Sequence, residues 1–591
     1  MEKWILKKSK IDYQQVMSDF SIDEISAKII SKKDFKNKKE IYDYLHPNKK
    51  NLHDPFSLKG MDDAIKLIKD DLDNERKILI VLDYDVDGII SGAIAYHGLK
   101  RLGAHCTCVL PHRVKDGYGI NENIVETAQK NGINTIITFD NGIAAFDPIE
   151  LARTMGIKTI VTDHHDVPFS INEQNEKIYN LINADVVINP KQSDCAYPFK
   201  GICGGTIAYK LIEALYVTMK IDSSKTRDLL SLASIATICD VMELKDENRT
   251  IVSVGLDSMS QIHNPGLNAL FSIYNLKDKI TVEDIGFKVG PCFNSSGRLS
   301  TAEIGLELLT YSADDNSPDI LLDTIKEKAL NLYDLNDIRK KMTAEAFKIA
   351  INQVEDSQLW LNKIILLYLS DVHESIAGIV ASRVKEKYNC PTIVFTRSEN
   401  FIKGSARSVE DINIFELISN HKDLLLKFGG HPMAAGMSLE KENFDQFVSL
   451  LIESTSKIPF SIEKTHKVDL IVKFDELEYA LAKSLEKFEP FGKGNEKIVF
   501  SSLKVSISDI KILGANSNVL RIFISQNGIS KEFISFRNID WMLEIIKKKV
   551  QIMDNNAIIL NENNTFDILF SAGINVYNSR EKLQLELVSI R

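Results

Sequence analysis

Three aspartates at alternate positions, Asp83, Asp85 and Asp87 in the stretch VLDYDVDGIIS, stand directly behind an apolar run and before a glycine. Alternation along an extended chain puts all three carboxylates on one side. Ionised together they repel, and such a group is stable when a cation lies among them. An acidic surface turn is the plain alternative, but surface turns seldom follow a run as apolar as KILIVL. Two more polar clusters follow apolar runs in the same way. These are Asp140-Asn141-Gly142 after NTIITF, and Asp163-His164-His165-Asp166 after KTIVT. Carboxylate with imidazole suits a hard or borderline divalent ion such as Mn²⁺ or Mg²⁺. A ligand count above four points to two ions, the usual device for in-line displacement at phosphorus.

The elements that must position these residues alternate. KILIVL (77–82) reads as a buried parallel strand, and 89–102 as the helix after it. A strand is expected over 105–110, a helix over 121–129, a strand over 134–139, a helix over 147–155 and a strand over 158–162. Strands separated by helices predict a parallel, doubly wound sheet. In such a sheet the carboxyl ends share one edge, where ligands bind, so Asp85, Asp87, Asp140, His164 and His165 are expected to converge.

At 591 residues the chain is too long for one core, and its 44% apolar and 26% charged content are those of globular proteins. No run of 18 apolar residues occurs and MEKWILKKSK does not resemble a signal peptide, which predicts a cytoplasmic protein. The seven cysteines show no CxxC pair, excluding a disulfide framework or zinc module; Cys106 and Cys108 read as strand residues. A net charge of −10 argues against a surface coated for non-specific DNA binding, although residues 1–60 carry 13 Lys against 9 acids.

DYDVDG, DNGI (140–143) and TDHH (162–165), with PHRVKDGYGI (111–120), INP (188–190), IATICDVMEL (235–244) and GPCFNSSGRL (290–299), resemble the motifs of the DHH phosphoesterases. Within them they resemble the single-strand-specific exonucleases of the RecJ family. The resemblance implies two Mn²⁺ or Mg²⁺ ions held by Asp85, Asp87, Asp140, His164 and Asp240, with Asp140 bridging. It makes His165 a near ligand or phosphate contact, and Asp83 and Asp163 orienting groups. From the residues alone, Asp240 reads equally well as a helix-end acid satisfied by backbone, and Arg113 and Arg298 as surface cations. The resemblance makes both arginines phosphate contacts. Where the family usually has Arg, this chain has Cys292, either a lost substrate contact or a structural position.

Beyond this lies a helical stretch at 317–358, expected to join two lobes. A second α/β unit (359–460) follows, in which FGGHPMAAG resembles the DHH-associated domain. Ser405, Arg407 and His431, beside glycine clusters, are candidates for gripping a terminal phosphate or the adjacent backbone; His373 is a weaker one. Five short strands in 461–591 suggest an OB-fold barrel, with Phe523, Phe533 and Phe536 as core or as base-stacking residues. The expected architecture is therefore α/β. Residues 1–60 form a helical lead-in and 61–316 a DHH phosphoesterase domain with a parallel doubly wound sheet, then come the connecting helix, the DHH-associated domain and the C-terminal OB-fold β-barrel.

The resemblance implies hydrolysis of single-stranded DNA from its 5′ end to 5′-mononucleotides, in repair and recombination. A single-strand-binding protein and a helicase are the implied helpers of a monomeric enzyme. A phosphodiesterase of small nucleotides, or a catalytically silent DNA-binding scaffold, would share parts of this pattern. The intact acidic and histidine ligands weigh against the scaffold, and the appended barrel against the small-nucleotide enzyme.

Overall fold

The computed structural model describes residues 2–111, 117–172, 176–277, 279–311, 318–398, 401–459, 463–514, 519–549, 551–552, 558–559, 565–577 and 580–591. Arg113 lies outside the described residues. The chain forms two compact units: residues 53–242 with 254–464, and residues 1–52 with 243–253 and 465–591.

In the larger unit, five parallel strands lie in the order His105–Val109, Lys77–Leu82, Thr135–Phe139, Lys158–Thr162, Val186–Ile188. Every residue of Thr135–Phe139 is buried, as a strand covered on both faces requires. Val81, Ile136 and Val161 pack with Val125, Ala128, Ile149 and Ala152 from helices Glu122–Lys130 and Phe146–Thr154. Helix Val86–Lys100 packs against helices Gly204–Thr218 and Arg227–Cys239. Val86–Lys100 is mostly apolar or small from Gly88 to Ala95, and twelve of its fifteen positions are buried. It approaches the sheet so closely that a Cβ at Gly88 would lie 2.4 Å from the Asp83 carbonyl oxygen. The order places the first and third strands of the sequence side by side, with connections leaving in opposite directions. That switch point opens a crevice at the strands' carboxyl ends, where Asp83 and Asp140 stand.

Helix Pro318–Ser357 runs 40 residues, about 60 Å at 1.5 Å per residue. It packs early on helices Pro265–Ile273 and Gly290–Leu299, and later, through Ala346, Ala350 and Val354, beside helix Glu374–Tyr388. The second sheet orders Lys427–His431, Ala434–Leu439, Ile402–Arg407, Thr392–Arg397 and Ile365–Tyr368; the last two pair in parallel and the rest antiparallel.

In the smaller unit, strands Phe500–Leu513, Val519–Gln526, Ile529–Ser535, Arg580–Ile590 and Phe566–Tyr577 pair in that order, and the last returns to the first, closing a barrel. Phe533 is barrel core, Phe536 is half exposed, and Phe523 is partly covered by the Arg521 guanidinium 5.1 Å above its ring. The N-terminal segment, expected to lead into the first sheet, belongs to this unit instead. Its strand Lys3–Leu6 pairs with Thr465–Val468, and Val16, Ala27, Ile30 and Ile41 join the barrel's apolar cluster. Arg249 fastens residues 243–253 here by donating to the carbonyls of Tyr44, Lys487, Phe488, Glu489 and Pro490. Among the described residues no helix is long and apolar enough to cross a membrane.

Candidate metal centre

Asp85 caps helix Val86–Lys100, its Oδ1 accepting from the backbone N–H of Asp87 (2.9 Å) and Gly88 (3.2 Å). Asp87, in that helix's first turn, is buried and turned the other way. Its two oxygens each accept at 2.7 Å from the N–H of Gly204 and Gly205, the start of helix Gly204–Thr218. A helix N-terminus is a natural seat for an anion. Glycine is needed there, because a Cβ at Gly204 would lie 2.7 Å from Asp140 Cβ and 3.1 Å from Asp87 Oδ2. The CGGT stretch at 203–206 was the available signal for this cradle.

Asp140 follows strand Thr135–Phe139 with φ +62°, a left-handed backbone uncommon outside glycine and characteristic of strained functional sites. Its carboxylate is buried. His164 Nε2 lies 3.0 Å from Asp140 Oδ1, and 3.7 Å from both Asp87 Oδ2 and Asp240 Oδ2. Asp163 works from behind: its Oδ1 accepts from the backbone N–H of His164 (2.7 Å) and His165 (3.0 Å) and lies 2.7 Å from His165 Nδ1, while Oδ2 accepts from Ile143 N–H (3.0 Å). Asp240 caps the C-terminus of helix Arg227–Cys239. Thus Asp83, Asp85, Asp87, Asp140, His164, His165 and Asp240 are all brought together.

Three groups of these side chains each present ligand atoms within 4.8 Å of one another: Asp83, Asp85 and Asp140; Asp87, His164 and Asp240; and Asp140, His164 and His165. Asp140 thereby belongs to two of the three groups. The donor set fits divalent ions on an internal test. Asp140 Oδ1 is buried and accepts no hydrogen bond, although His164 Nε2 is 3.0 Å away. Two lone pairs aimed into the same space are what shared cation ligands present.

The electrostatics agree. Burial first, then the Asp85 carboxylate, pushes Asp87 up to about 7 against the pull of the two glycine N–H groups. Burial and then the charges of Asp87 and Asp85 hold Asp140 well above the carboxylate range. Burial, then His165, drives His164 down to about 3, leaving a neutral imidazole suited to ligation. For His165 burial is outweighed by the bond to Asp163, and the ring rises to about 9; Asp163 is correspondingly lowered, against its own burial, by the same bond.

Two supporting residues lay unnoticed inside the quoted motifs. Tyr118 donates to the Asp140 carbonyl (2.6 Å) and sits 3.3 Å from His165 Nδ1, and Asn189 donates to the His165 carbonyl (2.9 Å).

Of the anion-gripping candidates, Arg298 donates to the Ser375 carbonyl (2.7 Å) at the start of helix Glu374–Tyr388. Arg407 and His431 flank Ala434 in register on three neighbouring strands, and Ser405 lies two residues from Arg407 on the same face. Burial lowers the Arg407 guanidinium, which packs against Gly378 and donates to the Ala406 carbonyl (2.7 Å). His431 Nδ1 lies 3.9 Å from Asp166 Oδ2, directly after the histidine pair. His373 is an N-cap, its Nδ1 accepting from Ser375 N–H (3.2 Å). Cys292 is fully buried, with Sγ 3.2 Å from Tyr274 Oη and 3.7 Å from Asn336 Nδ2. That is a packed structural position.

Acidic and imidazole ligands at the switch point of a doubly wound sheet, in one unit with a second α/β sheet, define a metal-dependent DHH-type phosphoesterase. The chain matches the N-terminal domain of the DHH family over residues 77–237, the DHHA1 domain over 361–457 and the RecJ OB domain over 468–589. It is 31% identical to the single-stranded-DNA-specific exonuclease RecJ of Haemophilus influenzae, across 82% of this chain and 85% of that one. To the enzyme of the same name from Bacillus subtilis it is 29% identical, across 99% and 70%. The crystal structure of RecJ in complex with Mn²⁺ from Thermus thermophilus superposes with a TM-score of 0.80 at 22% identity, covering 100% of this chain and 79% of that one. The chain belongs to the RecJ family.

Proposed function

We propose that this protein is an exonuclease that hydrolyses single-stranded DNA from the 5′ end, releasing 5′-mononucleotides in DNA repair and recombination. The observation that carries the reading is the convergence of Asp83, Asp85, Asp87, Asp140, His164 and Asp240 at one crevice, with Asp140 shared between ligand groups. Asp85, Asp87, Asp140, His164 and Asp240 would hold two ions, Mn²⁺ or Mg²⁺. Bound there, the ions supply Lewis acidity and a nucleophile drawn from water at neutral pH.

The chain's own groups do the rest. Asp163 keeps His165 cationic beside the cluster, a fixed positive charge for a phosphoryl oxygen. Arg298, Ser405, Arg407 and His431, with Arg113, hold the terminal phosphate and adjacent backbone, the cationic donors through charge-assisted hydrogen bonds. The barrel guides the strand. An enzyme confined to single strands needs them separated, so a helicase and a single-strand-binding protein are the implied helpers of a cytoplasmic monomer.

The test is digestion of single-stranded DNA labelled at either end with Mn²⁺, Mg²⁺ or EDTA, beside Asp140→Ala. Mononucleotides released from the 5′ end by the metal-loaded wild type alone support the reading. Release from the 3′ end, cleavage of di- to tetranucleotides only, or binding without cleavage overturns it.

A further inference from the structure

Phe287 is 71% exposed, an unusual state for a phenylalanine. It sits in a π-helical turn, Ile285–Val289, between buried Ile285 and Val289. Such turns widen a helix by one residue, re-aim side chains and concentrate at functional sites. This one is built against the end of the helix that leads into Asp240. A Cβ added at Gly286 would lie 3.6 Å from Ile238 Cγ2, and one at Gly290 only 2.3 Å from Cys239 Sγ. The turn therefore runs along the last residues of helix Arg227–Cys239, immediately before Asp240. The helix that continues it, Gly290–Leu299, reaches the acidic loop itself: a Cβ at Gly297 would lie 2.7 Å from the Tyr84 carbonyl oxygen, between Asp83 and Asp85. Next to Asp240, Val241 is also exposed (59%) and held at φ +53°, a conformation that a β-branched residue adopts only under constraint. Two apolar side chains are thus kept in solvent, one directly after Asp240 and one on the turn packed against the helix that ends there.

We propose that Phe287 is a stacking platform for a nucleobase of the strand held at the metal centre. The inference rests on the nuclease reading above. A single strand seated with a phosphate among the ligands must put its bases somewhere, and an aromatic face accepts any base without reading its sequence. A contact with a base adds affinity that the phosphate contacts do not supply, because stacking uses the apolar face of the nucleotide.

The full-length protein is assayed for kcat/KM on two single strands, one ordinary and one whose first three 5′ nucleotides are abasic. Phe287→Ala and Phe287→Trp are compared with wild type, each with its thermal midpoint recorded. Stacking on one base is worth about 5- to 150-fold in affinity. Phe287→Ala is expected to lose activity on the ordinary strand within that range and to match wild type on the abasic one, and Phe287→Trp to retain wild-type activity on both. An unchanged kcat/KM for Phe287→Ala on the ordinary strand overturns the proposal, as does an equal loss on both strands, which would assign the ring to backbone or protein contact. Wild type that cleaves neither strand overturns the nuclease reading instead.

Discussion

Metal binding at the Asp87/Asp140 pair should expel protons, and the number follows from the cluster's electrostatics. Without a cation, Asp87 titrates near 7 because of burial and then the Asp85 charge, and burial and then the charges of Asp87 and Asp85 hold Asp140 well above the ordinary carboxylate range. The two are neighbours of one imidazole, so their protons leave as a coupled pair. His164 contributes none, being neutral down to about pH 3. Below pH 7 Asp87 carries a proton that a divalent ion must displace, so this group alone raises the apparent Kd for Mn²⁺ by about tenfold per pH unit of acidification, and the slope is steeper wherever Asp140 carries its proton too. Above pH 7 Asp87 no longer carries one, and the slope falls. Each tenfold step is about 1.4 kcal/mol.

The sign for folding is the reverse of the usual carboxylate case. Asp87 is raised above its unfolded value of 3.8, so between about pH 4 and pH 7 the folded state binds more protons than the unfolded one. The metal-free protein therefore loses stability as pH rises through that window, and added metal restores most at the alkaline end. Calorimetric titration of Mn²⁺ at pH 6, 7 and 8, in buffers of different ionisation enthalpy, counts the protons directly. Asp140→Asn should lower the number released. An affinity independent of pH from 6 to 8, or no proton release in any buffer, would show that these carboxylates are not held as described.

Gly204→Ala drives a methyl between Asp87 and Asp140, 2.7 Å from Asp140 Cβ; it should cost about 1–3 kcal/mol of stability and abolish the Mn²⁺-dependent rise in thermal midpoint. Asp163→Asn removes the carboxylate that raises His165 to about 9. It should lower activity by about 10- to 100-fold and move the alkaline limb of the pH–rate profile to lower pH, a shift that simple misfolding would not produce. Arg249→Ala strips the donors from five backbone carbonyls in the barrel unit. Urea unfolding followed by barrel fluorescence should show a loss of about 3 kcal/mol or more, with unchanged stability refuting the clamp.

Much of the centre was legible because each acidic motif ends an apolar strand, and parallel strands end on one edge. The sequence by itself determined that Asp85, Asp87, Asp140, His164 and His165 would meet, because local apolar patterning and helix spacing predict a parallel sheet whose carboxyl ends share one edge. It determined the five barrel strands for the same reason, their alternation being local. Tertiary structure alone decided what local pattern does not encode. Asp240 ends an apolar helix, and only the packing of Arg227–Cys239 against Val86–Lys100 turns that end into the crevice. Gly204 and Gly205 serve Asp87 through backbone N–H groups, which carry no side-chain signature. Cys292, which the motif left open as a lost contact, is settled as buried by Tyr274 and Asn336 from distant elements. The N-terminal strand Lys3–Leu6 finds its partner more than 450 residues away at Thr465–Val468. No periodicity reports such a pairing, because it depends on long-range contacts whose energy appears only once both segments have folded.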